Sequence, residues 1–342
     1  MKKLLAVCCC WPLLALAQTD STDTEDFSKY TDAAEVRRFA TQKVLNLSAS
    51  KLISVSYEFQ GSNSVDVAPG ADAAFSRFYQ MKQAQGPRLL VNFPIVSNDR
   101  IIVNLGGQYW GTAFGLQQPR GSISPAFPDG YFNDYMHHSM GITTSVFKPF
   151  NEKNFLIAQL GADFNAARPF SSGASAKAVT ISGTVIYGWK TSERYMWGLG
   201  LSRTYRMGRL IHVPVLLWNK TFNDRWGMEL ILPAKGFVRR NLSSRNLLLL
   251  GYELEGNQYL LPGLTGGAGN TTLFLQRGEI KPRLQWERQL KNFIWLTAQA
   301  GVRVNGRFVL TDRYSGKDQH EVFRTQLGVP FYFNIGINLV SP

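Results

Sequence analysis

The sequence predicts an all-β fold, a transmembrane antiparallel up-and-down β-barrel of fourteen strands, with twelve as the alternative if one weak hairpin fails to span. Three observations lead there. The chain opens like an exported protein, its residues beyond 49 alternate apolar and polar over long segments, and tight polar turns exchange with long loops along the chain.

Of the 342 residues, 44% are hydrophobic, 13% aromatic and only 18% charged, with 31 glycines, which argues against intrinsic disorder and coiled coil. The formal charge of +13 is scattered, with no basic run longer than Arg37-Arg38 or Arg239-Arg240. Together with export, that excludes nucleic acid as a partner.

Lys2 and Lys3 precede an apolar stretch from Leu4 to Leu16, and Ala15-Leu16-Ala17 stands before Gln18. This reads as a cleaved signal peptide over 1–17, because the apolar core is shorter than the roughly 20 residues of a spanning helix. Cys8, Cys9 and Cys10 are the only cysteines, so the mature chain is expected to carry none, and losing Lys2 and Lys3 lowers its formal charge to +11. No cysteine-based metal spacing or disulfide framework survives export, and no cofactor motif is present.

Residues 18–49 do not alternate. An acidic start (Asp20, Asp23, Glu25, Asp26) gives way to Val36, Phe39, Lys43 and Val44 at roughly helical spacing. The segment reads as a periplasmic tail or as a short amphipathic element that plugs or caps the lumen.

From residue 50 to 342 the barrel is expected, with strands at 50–60, 73–96, 100–111, 135–149, 154–165, 177–190, 195–206, 210–222, 225–232, 235–241, 245–260, 271–288, 293–309 and 323–339. An even number returns the C-terminus to the periplasmic side. The hairpin 225–241, split at Pro233, is short for spanning. Tight turns fall at 97–100, 151–154, 191–194, 223–224 and 291–292, and longer connections near 61–72, 112–134, 166–176, 261–270 and 310–322. Residues 112–134, rich in proline and glycine, are the best lid candidate.

The C-terminal segment shows the alternation most plainly. Phe323, Thr325, Leu327, Val329, Phe331, Phe333, Ile335, Ile337 and Leu339 share one face, against Arg324, Gln326, Tyr332, Asn334 and Asn338. The polar faces of 245–260, 271–288 and 293–309 carry the only dense charged constellation: Glu253, Glu255, Arg277, Glu279, Lys281, Arg283, Glu287, Arg303 and Arg307 are the lumen-lining candidates. A turn at 290–292 pairs Gln289 with Phe293 and sets Glu279 opposite Arg303. Both signs are present, so no strong ion preference is expected from this wall.

Trp110, Tyr131, Tyr135, Trp189, Tyr195, Trp197, Trp218, Trp226, Trp286 and Trp295 lie toward strand ends and read as interfacial girdles, with Trp110 and Trp295 as candidates for an inward platform. His137 and Ser139 share a strand face and invite a hydrolase reading, but no residue nearby is placed to orient the imidazole. Catalytic residues are therefore not expected.

One stretch carries a resemblance. Trp218-Asn219-Lys220-Thr221-Phe222-Asn223-Asp224-Arg225-Trp226-Gly227-Met228-Glu229-Leu230-Ile231-Leu232-Pro233 continues through Phe237-Val238-Arg239-Arg240 and Gly251 to Glu255-Gly256-Asn257-Gln258-Tyr259. It resembles a Gram-negative outer-membrane barrel family catalogued as a domain of unknown function. The resemblance implies the fold and an outer-membrane location, with no activity or ligand attached. The chain departs from the usual aromatic barrel ending at Leu339-Val340-Ser341-Pro342.

Three functions fit, in this order: a passive channel or small-solute transporter, a plugged binding or structural barrel, and an outer-membrane hydrolase. The expected partners are outer-membrane lipid, the outer-membrane assembly machinery and a small solute.

Overall fold

Six tight turns gather at one end of the molecule, and three of them use one device. Asn98, Asn151 and Asn223 each turn their Oδ1 back to accept backbone N–H groups two and three residues on, the local bond that makes asparagine a turn former. The computed structural model describes residues 40–70, 74, 77–118, 127–167, 176–266, 269–314 and 319–340. The expected signal peptide 1–17 and the acidic run Asp20–Asp26 lie outside them.

Between those turns run β1 (Lys51–Gln60), β2 (Asn63–Pro69), β3 (Arg77–Asn98), β4 (Ile101–Gln117), β5 (His137–Pro149), β6 (Asn154–Ala166), β7 (Val179–Ser192), β8 (Tyr195–Thr204) and β9 (Ile211–Thr221). They continue as β10 (Trp226–Leu232), β11 (Lys235–Ser243), β12 (Asn246–Gly266), β13 (Gly269–Lys291), β14 (Ile294–Val302), β15 (Val304–Thr311), β16 (Glu321–Leu327) and β17 (Phe331–Val340). A short helix α1 (Asp129–Asp134) lies in the β4–β5 connection. β1 with β2, β14 with β15, and β16 with β17 are interrupted single walls. Counting each once gives a closed antiparallel barrel of fourteen strands, sealed where β1 pairs with β17 from Lys51↔Val340 to Gln60↔Tyr332. β10 and β11 both belong to the ring, so the weak hairpin does not reduce the count to twelve.

Alternation places the apolar residues outside. Tyr57, Ile142, Leu160, Leu201, Leu250, Phe333 and Ile335 are all exposed, the belt a lipid-facing barrel requires. Trp189 and Trp197 stack at 4.5 Å near the tight turns, with Tyr195 against Trp218 beside them. Trp110, Tyr131 and Trp295 leave the expected girdle: Arg88 lies over Trp110 inside the barrel, Tyr131 is buried in α1, and Trp295 packs with Phe237 and Leu247.

Three adjoining walls are interrupted at 61–62, 303 and 328–330, and the inward face changes parity across 61–62, at Gly306 and across 328–330. Below them the lumen receives Ser54, Ser56, Glu58, Thr297, Gln299, Asn334 and Asn338. Above them it receives Val65, Val67, Phe308, Leu310 and Phe323, which join Phe114, Phe127, Phe132 and Tyr259 in a buried aromatic core. This corrects the single continuous face expected over 323–339: Phe323 is buried at 7% exposure, whereas Phe331 is 72% exposed.

Other connections also differ from the expectation. The stretch 61–72 contains β2, and 261–270 is mostly strand, because the β12–β13 hairpin rises through Leu264↔Thr271 to Gly266↔Gly269. The middle of 112–134 lies outside the described residues, but its ends are β4 and α1. The tall hairpin also bends across the mouth. Leu260 bridges to Ala166 of β6, which lies beyond β7–β11 in the ring, and Ala167 donates to the Leu260 carbonyl at 3.1 Å.

Candidate functional site

The lumen is floored at the tight-turn end by residues 40–49. Ala40 and Val44 are buried against inward-facing Phe147, Phe155, Ile186, Met196, Val215 and Leu217. Asn46 takes the left-handed conformation (φ 59) that asparagine tolerates better than most residues, and the segment follows the wall from strand end to strand end. Ala40 N–H donates to the Asn151 carbonyl (3.0 Å), Leu45 N–H to that of Glu193 (2.8 Å), and Thr221 Oγ1 to that of Leu45 (2.7 Å). Lys190 Nζ reaches Thr41 Oγ1, the Lys43 carbonyl and Glu193. Burial lowers the Lys43 ammonium below the usual lysine range, and Glu229 opposes that shift.

The floor ends on a relay. The Ser48 N–H and hydroxyl both donate to Glu229 Oε1, at 3.1 and 2.8 Å. Arg239, fully buried, holds Glu229 at 3.4 Å and donates to Thr221 at 3.0 Å. Gly227 makes room for it, since a Cβ there would collide with the guanidinium. Of the segment 18–49, the described part is 40–49, and it lies against the inner face of the wall.

Above the floor lies a charged belt. Glu58 takes Arg88, Lys281 (2.6 Å) and Arg303. Glu255 takes Arg88 (2.8 Å) and Lys281 (3.0 Å), and Glu279 takes Arg277 at 3.0 Å and Arg303 at 3.8 Å. Four cations thus share three carboxylates, and Tyr332 presents its ring to Lys281 and Arg303. Such buried charges persist only as mutual partners, because each would otherwise lose its hydration uncompensated.

Eight of the nine expected lumen residues face inward. Glu255, Arg277, Glu279, Lys281 and Arg303 make the belt; Glu253 pairs with Arg283 at 2.7 Å and Glu287 with Lys51 at 2.7 Å. Arg307 is the exception. A register shift at Gly278/Glu279 puts it opposite Gly278 on the other face, where it bonds Gln276 (2.6 Å) and Glu321 (3.0 Å). The expected cross-strand partner is corrected too. The β13–β14 turn is irregular, Gln289 pairs with Trp295 instead of Phe293, and Glu279 stands opposite Asn305, not Arg303.

Sequence reading missed Glu58 and Arg88, both central to the belt. Their alternation was visible in Ser54, Ser56 and Glu58 against Val55, Tyr57 and Phe59, but only ring closure brings β1 and β3 to β13. Glu229 and Arg239 lay inside the motif that carried the resemblance, with nothing in their spacing to show that they grip residue 48. His137 and Ser139 share the inner face as expected, yet both are fully buried, with the imidazole stacked on Phe132 at 5.3 Å.

Among the described residues, two adjoining chambers lie above the floor. A polar one of about 440 Å³ is lined by belt residues and by Ser54, Thr143, Ser182 and Asn334. An apolar one of about 1020 Å³ lies between the inner faces of β7–β9 and the outer face of β12–β13. Gln159, Ser182, Thr204, Arg206, Lys235 and Leu254 line both.

A family model described as "Domain of unknown function (DUF6268)" matches residues 130–340. Among curated proteins nothing matches. Among solved structures, a FadL homologue from Pseudomonas aeruginosa is 12% identical, covering 84% of this chain and 89% of its own at a TM-score of 0.38. The toluene transporter TodX of Pseudomonas putida is 8% identical, with 85% and 91% covered and a TM-score of 0.34. The Escherichia coli outer-membrane protease OmpT is 8% identical, with 87% and 99% covered and a TM-score of 0.28.

Proposed function

The chain belongs to the family described as a domain of unknown function (DUF6268), and from that premise we propose that it is an outer-membrane barrel passing a small solute passively through a floored lumen. One observation carries this reading: the interior retains a polar chamber of about 440 Å³ joined to an apolar one of about 1020 Å³, closed below by a segment outside the strand ladder. A fourteen-stranded ring lies between the eight strands that side chains fill and the sixteen or more that leave an open channel. The floor is held by hydrogen bonds and an apolar patch, so it can leave without breaking the barrel wall. Export with loss of 1–17, location in the outer membrane and insertion by its assembly machinery are parts of the same proposal. No catalytic step is included.

A second reading, a plugged barrel that binds or supports without transport, draws on the buried aromatic core around Phe114, Phe132 and Phe308. Uptake of small neutral sugars into proteoliposomes separates the two. Transport predicts uptake above that of empty liposomes, increased when 18–49 are deleted. Baseline uptake by both proteins supports the plugged barrel.

A further inference from the structure

The barrel wall is low on one side. β10 has seven residues and β11 nine, whereas the neighbouring β12 and β13 have 21 and 23. Seven residues at about 3.3 Å each, tilted about 45°, climb roughly 16 Å through an apolar band about 25 Å tall. The Pro233–Ala234 turn therefore ends the wall inside the hydrocarbon layer.

Pairing stops at the same place. The β9–β10 ladder ends at Leu216↔Leu232 and the β11–β12 ladder at Lys235↔Glu253. Beyond them the upper edge of β9, residues 211–215, has no strand neighbour on that side among the described residues. Pro214, with no N–H to offer, stands in this edge, as proline does in sheets. Open backbone at membrane depth is tolerated only where it lines a cavity or is covered by protein. Here the cavity is the chamber of about 1020 Å³.

The chamber has two unlike ends. Toward the membrane, inward Ile211 and Val213 face outward Tyr252, Ile280 and Pro282 of β12–β13. Those outward residues continue the surface of lipid-facing Leu250 and Leu284, which are 63% and 44% exposed. Toward the lumen, Arg206 and exposed Lys235 line the chamber; beyond them Glu253 takes Arg283 at 2.7 Å and Arg206 at 3.8 Å, and Asp163 also faces Arg206. That end carries more positive than negative charge.

We infer that this chamber binds a single-tailed amphiphile with a small anionic head, admitted sideways from the membrane above the Pro233–Ala234 turn. The tail lies between Val213 and Ile280, and the head meets Lys235 and Arg206. This adds a membrane-side ligand to the transport reading and rests on that reading only for passage of the bound amphiphile across the membrane. The size falls at the upper end of ordinary ligand pockets, which are mostly apolar with a few placed polar groups.

The test uses the refolded full mature chain in lipid nanodiscs, with a fluorescent polyene fatty acid and its methyl ester as probes. Saturable fluorescence enhancement by the acid, above that of empty nanodiscs, is expected. Val213→Trp, which fills the chamber, abolishes it. Lys235→Glu, at an exposed position, weakens the acid about tenfold or more, on the scale of one lost hydrogen bond to a charged group, and leaves the ester unchanged. Ile280→Trp closes the chamber from the opposite wall should Val213→Trp fail to fold. Absence of saturable binding, or unchanged binding in a folded chamber-filling variant, overturns the site; equal binding of acid and ester, indifferent to Lys235→Glu, overturns the anionic head. Saturable binding without sugar uptake refutes transport and keeps the site, and uptake without binding does the reverse.

Discussion

Arg303 lies 3.8 Å from Glu279 although the two do not face each other across the ladder; Glu279 stands opposite Asn305. Alternation already turns Arg303 inward, between Gly301 and Asn305, and from the gap in the ladder between β14 and β15 its guanidinium reaches both Glu279 and Glu58. One inward guanidinium thus joins carboxylates of β13 and β1, which are not neighbours in the ring.

Glu58 is the member of that belt with the most partners, so its removal is predicted to be costly. Glu58→Gln leaves Arg88, Lys281 and Arg303 sharing less negative charge in a buried site and is expected to destabilise the barrel by about 3–5 kcal/mol. Pairing it with Arg303→Met restores part of the loss. Urea unfolding of the refolded protein, followed by tryptophan fluorescence, measures both; additive effects of the two changes would show that the residues are not coupled.

Ser139 gives a prediction of opposite sign. Its hydroxyl is fully buried and has no hydrogen-bond partner among the described residues. Ser139→Ala removes an unsatisfied polar group and is predicted to stabilise by about 1–3 kcal/mol. A loss of stability on the same urea assay would mean that the hydroxyl has a partner in the folded barrel.

Gly256 permits a close crossing. A Cβ there would collide with the Arg206 carbonyl oxygen and stand 2.8 Å from the Gly208 nitrogen, so Gly256→Val is predicted to lift the β8–β9 connection from the outer face of β12. Limited trypsin digestion should then cut after Arg206 several times faster than in the parent chain. An unchanged cleavage rate in a folded variant would show that the connection does not depend on this contact.

Val44 tests how the floor is held. Val44→Asp puts a carboxylate against Phe147, Phe155 and Leu217, a burial without a partner that costs several kcal/mol if the floor stays seated. The floor is predicted to detach instead, making 40–49 sensitive to protease while the barrel remains folded. Protection equal to that of the parent chain would refute the seating described.

Much of this architecture is legible in alternation alone. The outward faces of β1, β7 and β17 follow period two over most of their length, which is why the ring and its fourteen strands were readable. Alternation fails where a strand gains or loses a residue. Gly306 and the 328–330 break reverse the faces beyond them, and nothing in the apolar pattern marks the reversal, so Arg307 and Phe323 were assigned to the wrong side. The belt was half legible for a different reason: Glu255, Glu279 and Lys281 lie on consecutive strands, but Glu58 and Arg88 reach them only through closure of the ring and the bend of β12–β13. The floor depended on Glu229 and Arg239, whose role is set by a segment about 180 residues earlier in the chain.

The central claim is that a chamber already present in the barrel is kept closed by the floor. Single-channel recording in planar bilayers tests it most directly, comparing the mature chain with one lacking residues 18–49. The account predicts a silent or rarely conducting parent and discrete, ohmic openings in the shortened chain. Silence from both, with the shortened barrel shown to be folded and inserted, would contradict it.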